Sequence, residues 1–184
     1  MRLNDITWAN RISLIRIGLA VVFISCFRSV PGSLLTASVL AAIAAQLTDH
    51  LDGYIARKYP SSGVVGWVFD SVSDRAFYIA ALLAFERELF LSEIIVWGFV
   101  LREIALYAIR VVVGDFETIL HGFRKLTLVH AFLVRIGIAA GCLIPYSFVP
   151  PEIRAVLLNV LPLIFFFVTV FGFINLYLLL RKLS

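Results

Sequence analysis

Apolar residues in this chain come in long runs, and the runs have the length of membrane helices. A helix needs roughly 20 residues to cross the hydrocarbon of a bilayer. Six stretches fit: about Ile12–Phe27, Ser33–Ala56, Val64–Leu83, Ile94–Val113, Leu126–Ile144 and Val156–Leu180. Between them stand helix breakers, namely Pro31-Gly32, Pro60-Ser61-Ser62-Gly63, Gly114-Asp115 and the segment from Pro145 to Pro151. The pattern predicts an all-α integral membrane fold of six transmembrane helices. It forms a single domain over residues 1–184, with no room for a second, soluble one. Leu3–Asn10, with Ile6 and Trp8, reads as a short interfacial helix leading into the first span. The first run also has the outline of a signal peptide, but Asp5, Arg11 and Arg16 interrupt it.

Composition removes the soluble alternative. The chain is 61% hydrophobic and 15% charged, with 16 Phe, and its mean hydropathy is +0.99. A single core in a chain this short leaves too much apolar surface for water to be the solvent. Cys26 and Cys142 form no CxxC pair, so disulfide, zinc-ribbon and redox functions lose their support. The net charge of +4 fits an anionic lipid surface, and no basic stripe interleaved with aromatics points to nucleic acid. Lys and Arg are unevenly shared between the two sets of connections. One side holds Arg2, Arg11, Arg57, Lys58, Arg124, Lys125, Arg181 and Lys182; the other holds only Arg28, Arg87 and Arg154. By the positive-inside rule both termini are cytoplasmic.

In lipid an ionised side chain costs several kcal/mol unless it faces a cavity or a partner, so the remaining charges are informative. Four of the six Asp, at 49, 52, 70 and 74, fall at the end of the second span and the start of the third. Asp49 and Asp52 are i,i+3, and Asp70 and Asp74 are i,i+4, so each pair shares a helix face. Two antiparallel helices joined by a short turn bring both pairs into one cavity near the cytoplasmic surface. Four carboxylates so close repel one another and call for a hard divalent cation with oxygen ligands: Mg²⁺, Mn²⁺ or Ca²⁺. Zinc is disfavoured, because His50, His121 and His130 are scattered. Charge alone fits a small divalent-cation transporter as well as a catalyst. Gly53 and Gly66 bare the backbone beside the carboxylates, and Arg57 adds a cation at the same mouth. A divalent metal plus Arg favours a phosphate or pyrophosphate site.

The string Asp49-x-x-Asp52-Gly53-x-x-Ala56-Arg57, eight residues, then Gly66-x-x-x-Asp70-x-x-x-Asp74 resembles the signature of the CDP-alcohol phosphatidyltransferase family at every fixed position. The resemblance implies that CMP is displaced from a CDP-linked lipid by the hydroxyl of a small alcohol. It implies that Asp49, Asp52 and Asp70 ligate divalent metal, two Mg²⁺ or Mn²⁺ ions bridging the CDP diphosphate. Asp74 would complete that site and act as general base. It places Gly53, Ala56 and Gly66, with Asp52 and Arg57, at the nucleotide. Upstream, Asn10-Arg11-Ile12-Ser13-Leu14-Ile15-Arg16 is similar to the family's opening pattern, with Ala9 in place of Pro and Ser13 in place of Thr. Asn10 and Arg16 are then candidates for holding the nucleotide or donor phosphates; the plainer alternative has Arg16 snorkelling to the interface. A homodimer and a bacterial inner-membrane setting with a cytoplasmic active site are also implied by the resemblance.

The acceptor is read from later charges. Arg102-Glu103 lies mid-span, and Arg110 follows Arg102 by about two helical turns. The functional reading is a clamp for a phosphate on the acceptor; the alternative is a structural ion pair. Phosphatidylglycerophosphate synthases carry a similar Arg-Glu, six residues, Arg, and Asp70-Ser71-Val72-Ser73-Asp74-Arg75 resembles their Asp-Pro-x-Ala-Asp-Lys. That favours glycerol 3-phosphate. Arg124-Lys125-Leu126-Thr127-Leu128-Val129-His130 keeps the Thr of their Lys-x-Lys-Thr-x-x-Gln but shifts the basic positions, which leaves inositol phosphate, serine and phosphatidylglycerol as other acceptors. His121 and His130 read as interfacial residues, and Phe165-Phe166-Phe167 as lipid-facing or dimer packing.

Overall fold

A computed structural model describes residues 8–28, 30–58, 64–113 and 124–183, with side chains described at 12–28, 30–48, 51, 72–109 and 128–181. Six helices and no strand occur among the described residues: α1 (Trp8–Cys26), α2 (Ser33–Lys58), α3 (Val64–Arg87), α4 (Glu93–Val113), α5 (Arg124–Leu143) and α6 (Pro151–Leu183). Their number and order are those of the six apolar runs. Trp8–Asn10, read from sequence as part of a separate interfacial helix, form the first turn of α1 instead. No breaker separates them from Ile12, so the helix simply continues. The rest of that segment lies outside the described residues.

Only one stretch among the described residues, Pro151–Arg181 of α6, is long and apolar enough by itself to cross a membrane. Ile12–Cys26, Ser33–Thr48 and Leu128–Leu143 are shorter apolar stretches. These three stretches are bounded at residues 12, 48 and 128 by the limits of the described side chains, while in α4 Arg102 and Glu103 interrupt the apolar run. The surface is strongly apolar, with Phe148, Phe167 and Ile94 among the most exposed side chains.

The helices fall into two compact units, Met1–Ala84 and Phe85–Ser184. In the first, α1 packs on α2, and Ala41, Ala42 and Ala45 of α2 are buried, small residues of the kind that let backbones approach closely. Phe23, with no exposed surface, stacks on Phe27 at 5.3 Å and meets Phe77 of α3 edge-on at 5.6 Å.

In the second unit α6 packs against both α4 and α5. A Cβ on Gly98 would meet Thr169, and one on Gly172 would lie 2.6 Å from Arg102 Nε, so α4 and α6 run parallel. A Cβ on Gly137 of α5 would lie 2.8 Å from the Phe165 ring. Phe165 is fully buried, while Phe166 and Phe167 are exposed. The sequence reading of a wholly outward-facing Phe run is therefore corrected at its first member. Three consecutive helical residues span about 200° of arc, so one of them turns inward.

α3 ends by backbone geometry and not at a glycine. Leu89 N–H donates to Glu86 O and Phe90 N–H to Phe85 O, both at 2.8 Å, while Leu89 adopts a φ of 63°. This is a Schellman termination, and the Phe85 and Phe90 rings, 6.3 Å apart, supply the hydrophobic contact that accompanies it. Ser92 opens α4, its carbonyl accepting from Ile95 and Val96, and Glu93 sits at the positive end of the helix dipole.

Candidate active site

Both halves of the carboxylate motif lie on helix. Asp49, Asp52, Gly53, Ala56 and Arg57 occupy the C-terminal half of α2, and Gly66, Asp70 and Asp74 the N-terminal half of α3. Helical periodicity therefore holds for each pair, as the spacing requires. The side chains of Asp49, Asp52, Ala56, Arg57 and Asp70, like that of Asn10, lie outside the described residues, and so do Gly53 and Gly66 as contact surfaces. Asp74 is described, and it carries the geometry of the site.

Asp74 Oδ1 receives a hydrogen bond and ion pair from Arg16 Nη1. Arg16 is 2% exposed, whereas the Asp74 side chain keeps 29% of its surface open. The same Nη1 lies 3.3 Å from Ser73 Oγ, and Arg16 Nε lies 3.5 Å from Thr48 Oγ1. Thr48 in turn donates to Ala45 O at 2.8 Å, so its hydroxyl hydrogen is committed and a lone pair is left to accept from the guanidinium. Arg16 of α1 thus touches α2 at Thr48 and α3 at Ser73 and Asp74. A buried guanidinium is tolerable because it has these partners. The snorkelling alternative for Arg16 is overturned: the side chain ends inside the unit, against a carboxylate, and not at an interface.

Sequence reasoning missed Thr48 and Ser73. Their signal was available, since each is a hydroxyl residue directly preceding a motif Asp, Asp49 and Asp74. What no spacing reveals is that Arg16, far upstream, meets both.

In the second unit, Arg102 Nη1 donates to Glu103 Oε1. Both residues are buried, at 3% and 5% exposure. The pair lies within α4, and the Arg102 stem crosses α6 where Gly172 has no side chain. Arg102 Nε and Thr169 Oγ1 are buried with no hydrogen-bond partner among the described residues. Arg110 lies further along α4, and Arg124 and Lys125 open α5; their side chains are outside the described residues. His130 is not interfacial. It is 5% exposed, with its ring stacked on Phe99 at 5.9 Å. Its position on the face of α5 that also buries Val134 and Ile138 draws it inward. His121 lies outside the described residues.

Among the described residues no group of three His, Cys, Asp or Glu comes together as a metal site. The donor set of the motif is nonetheless all carboxylate oxygen, which suits a hard divalent ion. Asp74, its one described member, pairs with Arg16 and keeps 29% of its side-chain surface exposed.

The described residues form an all-helical, strongly apolar chain with carboxylate pairs on consecutive helices. The chain matches the CDP-alcohol phosphatidyltransferase family over residues 6–178 of its 184, a match that runs through both units, and it belongs to that family. Its reaction class is accordingly transfer of a phosphatidyl group from a CDP-alcohol to an acceptor, a step of phospholipid synthesis that in this family generally depends on divalent cations. No curated protein and no solved structure matches the chain.

Proposed function

We propose that the protein transfers the phosphatidyl group of CDP-diacylglycerol to glycerol 3-phosphate, releasing CMP and forming phosphatidylglycerol phosphate. The observation that carries the choice of acceptor is the buried Arg102–Glu103 pair on α4, with Arg110 two turns further along. A charged pair at that depth, followed by a second Arg, suits a phosphorylated acceptor better than a neutral one.

In this reading Asp49, Asp52, Asp70 and Asp74 hold Mg²⁺ or Mn²⁺. When bound, two such ions neutralise the donor diphosphate and the charge that develops on it. Asn10, Gly53, Ala56, Arg57 and Gly66 receive the cytidine diphosphate, the glycines by letting it approach the backbone. Arg102, Glu103, Arg110, Arg124 and Lys125 orient the acceptor. The acceptor hydroxyl attacks the phosphorus that carries diacylglycerol. The bond from that phosphorus to the bridging oxygen breaks, CMP leaves with the bridging oxygen, and the hydroxyl proton passes to Asp74. Residues 1–184 act as one membrane domain of six spans, as a homodimer, in a bacterial inner membrane with the site on the cytoplasmic side. That placement lets the lipid donor stay in the bilayer while a water-soluble acceptor arrives from the cytosol.

The test is CMP release by detergent-purified protein with CDP-diacylglycerol and Mg²⁺ or Mn²⁺, offering glycerol 3-phosphate, inositol phosphate, serine and phosphatidylglycerol separately. Release with glycerol 3-phosphate alone is the expected result. Release only with another acceptor keeps the chemistry and overturns the roles given to Arg102, Glu103 and Arg110.

A further inference from the structure

We infer that Arg16 is a positioning residue for Asp74, held in place by Thr48 and Ser73, and that it acts through this carboxylate and not on the donor phosphates. The inference rests on the phosphatidyltransferase reading of Asp74.

Three observations lead there. Arg16 is buried, and its Nε and Nη1 are already engaged by Thr48, Ser73 and Asp74. Its contacts are divided between α2 and α3, the two helices that carry the motif Asp residues. Its charged contact is with Oδ1 of Asp74, a side chain that keeps 29% of its surface open. A carboxylate on a helix has freedom about two side-chain torsions. Anchoring one oxygen to a guanidinium that is itself held at two hydroxyls removes most of that freedom.

The arrangement also explains why an Arg and not a Lys stands at position 16. A planar guanidinium presents Nε to Thr48 on one edge and Nη1 to Ser73 and Asp74 on another, whereas an ammonium is a point donor at the end of a flexible stem. Thr48 strengthens the case, because its own hydrogen is spent on Ala45 O and it faces Arg16 as a fixed acceptor.

The experiment uses the full-length protein in detergent and three variants: Arg16→Lys, Arg16→Gln, and the double variant Thr48→Val/Ser73→Ala. Mn²⁺ affinity is read directly from the electron paramagnetic resonance signal of the free ion. Turnover is read as kcat and as KM for CDP-diacylglycerol, and the thermal midpoint reports folding. Loss of an outer partner that orients a ligand typically weakens metal affinity or activity by about tenfold or more. Arg16→Gln is expected to show that loss in both Mn²⁺ affinity and kcat, with the donor KM within about twofold of wild type. Arg16→Lys should recover only part of it, and the double variant should lose a smaller share, about threefold, with Arg16 itself intact. A raised donor KM with kcat and Mn²⁺ affinity unchanged would overturn the inference in favour of a donor-phosphate role. Unchanged Mn²⁺ affinity and kcat in folded variants would reduce Arg16 to packing. If both Arg16 variants fail to fold, the double variant decides on the same readouts. Absence of CMP release from wild type would overturn the phosphatidyltransferase reading, while the Mn²⁺ affinities would still decide the role of Arg16; a wild type that binds no Mn²⁺ would overturn both.

Discussion

Buried charge at single residues follows one rule in both units: each described buried guanidinium has a carboxylate beside it. Arg16 has Asp74 across helices, and Arg102 has Glu103 next to it in the chain. The two pairs differ in what they do. Arg16–Asp74 links α1 to α3, whereas Arg102 and Glu103 are neighbours within α4. The Arg102 stem makes its cross-helix contact by van der Waals packing on Gly172. Breaking a buried pair by removing one partner costs about 3–5 kcal/mol, because the charge left behind is desolvated. Glu103→Gln is expected to lower stability by that order, read as the thermal midpoint in detergent. The paired change Arg102→Met with Glu103→Leu should cost less. An equal or greater loss in the paired variant would show that the pair contributes net stability.

At the scale of elements, glycine separates positions that look alike in sequence. Gly18 in α1 has no neighbour within 4 Å of where a Cβ would stand, but Gly137 in α5 faces the Phe165 ring of α6 at 2.8 Å. Phe165 is fully buried and has nowhere to retreat. Gly137→Ala is expected to destabilise by about 1–3 kcal/mol through overpacking. Gly18→Ala is expected to gain up to about 1 kcal/mol, since alanine costs less helical entropy than glycine. Thermal unfolding of the two variants side by side checks both signs. Helix existence and order were legible from apolar runs and breakers. The start of α1 was not, because no residue between Trp8 and Ile12 stops a helix. The end of α3 was not legible either, because Leu89 has no preference for the positive φ it adopts.

For the whole molecule, the proposed six-span arrangement with both ends on the cytoplasmic side is open to a direct labelling test. In a chain with Cys26 and Cys142 replaced, a cysteine at position 184 (Ser184→Cys) should react with a membrane-impermeant maleimide in inside-out vesicles and not in right-side-out ones. A cysteine at Phe148 (Phe148→Cys), an exposed residue of the turn before α6, should show the reverse. That turn is held by Arg154, whose Nη2 donates to Tyr146 O at 2.9 Å. Labelling of both positions from the same side would overturn the six-span topology.

The sequence by itself determined the helical class, the order of the elements, the family and the carboxylate motif. These rest on local periodicity, and the motif Asp residues are close neighbours along two consecutive helices. Which long-range partners meet was left to tertiary structure. The pairing of Arg16 with Asp74, the inward turn of Phe165 onto Gly137 and the burial of His130 on Phe99 each join residues from different helices. A run of apolar residues states that a helix is buried in something greasy. It does not state which face meets protein and which meets lipid, because both surroundings are equally apolar and only packing distinguishes them.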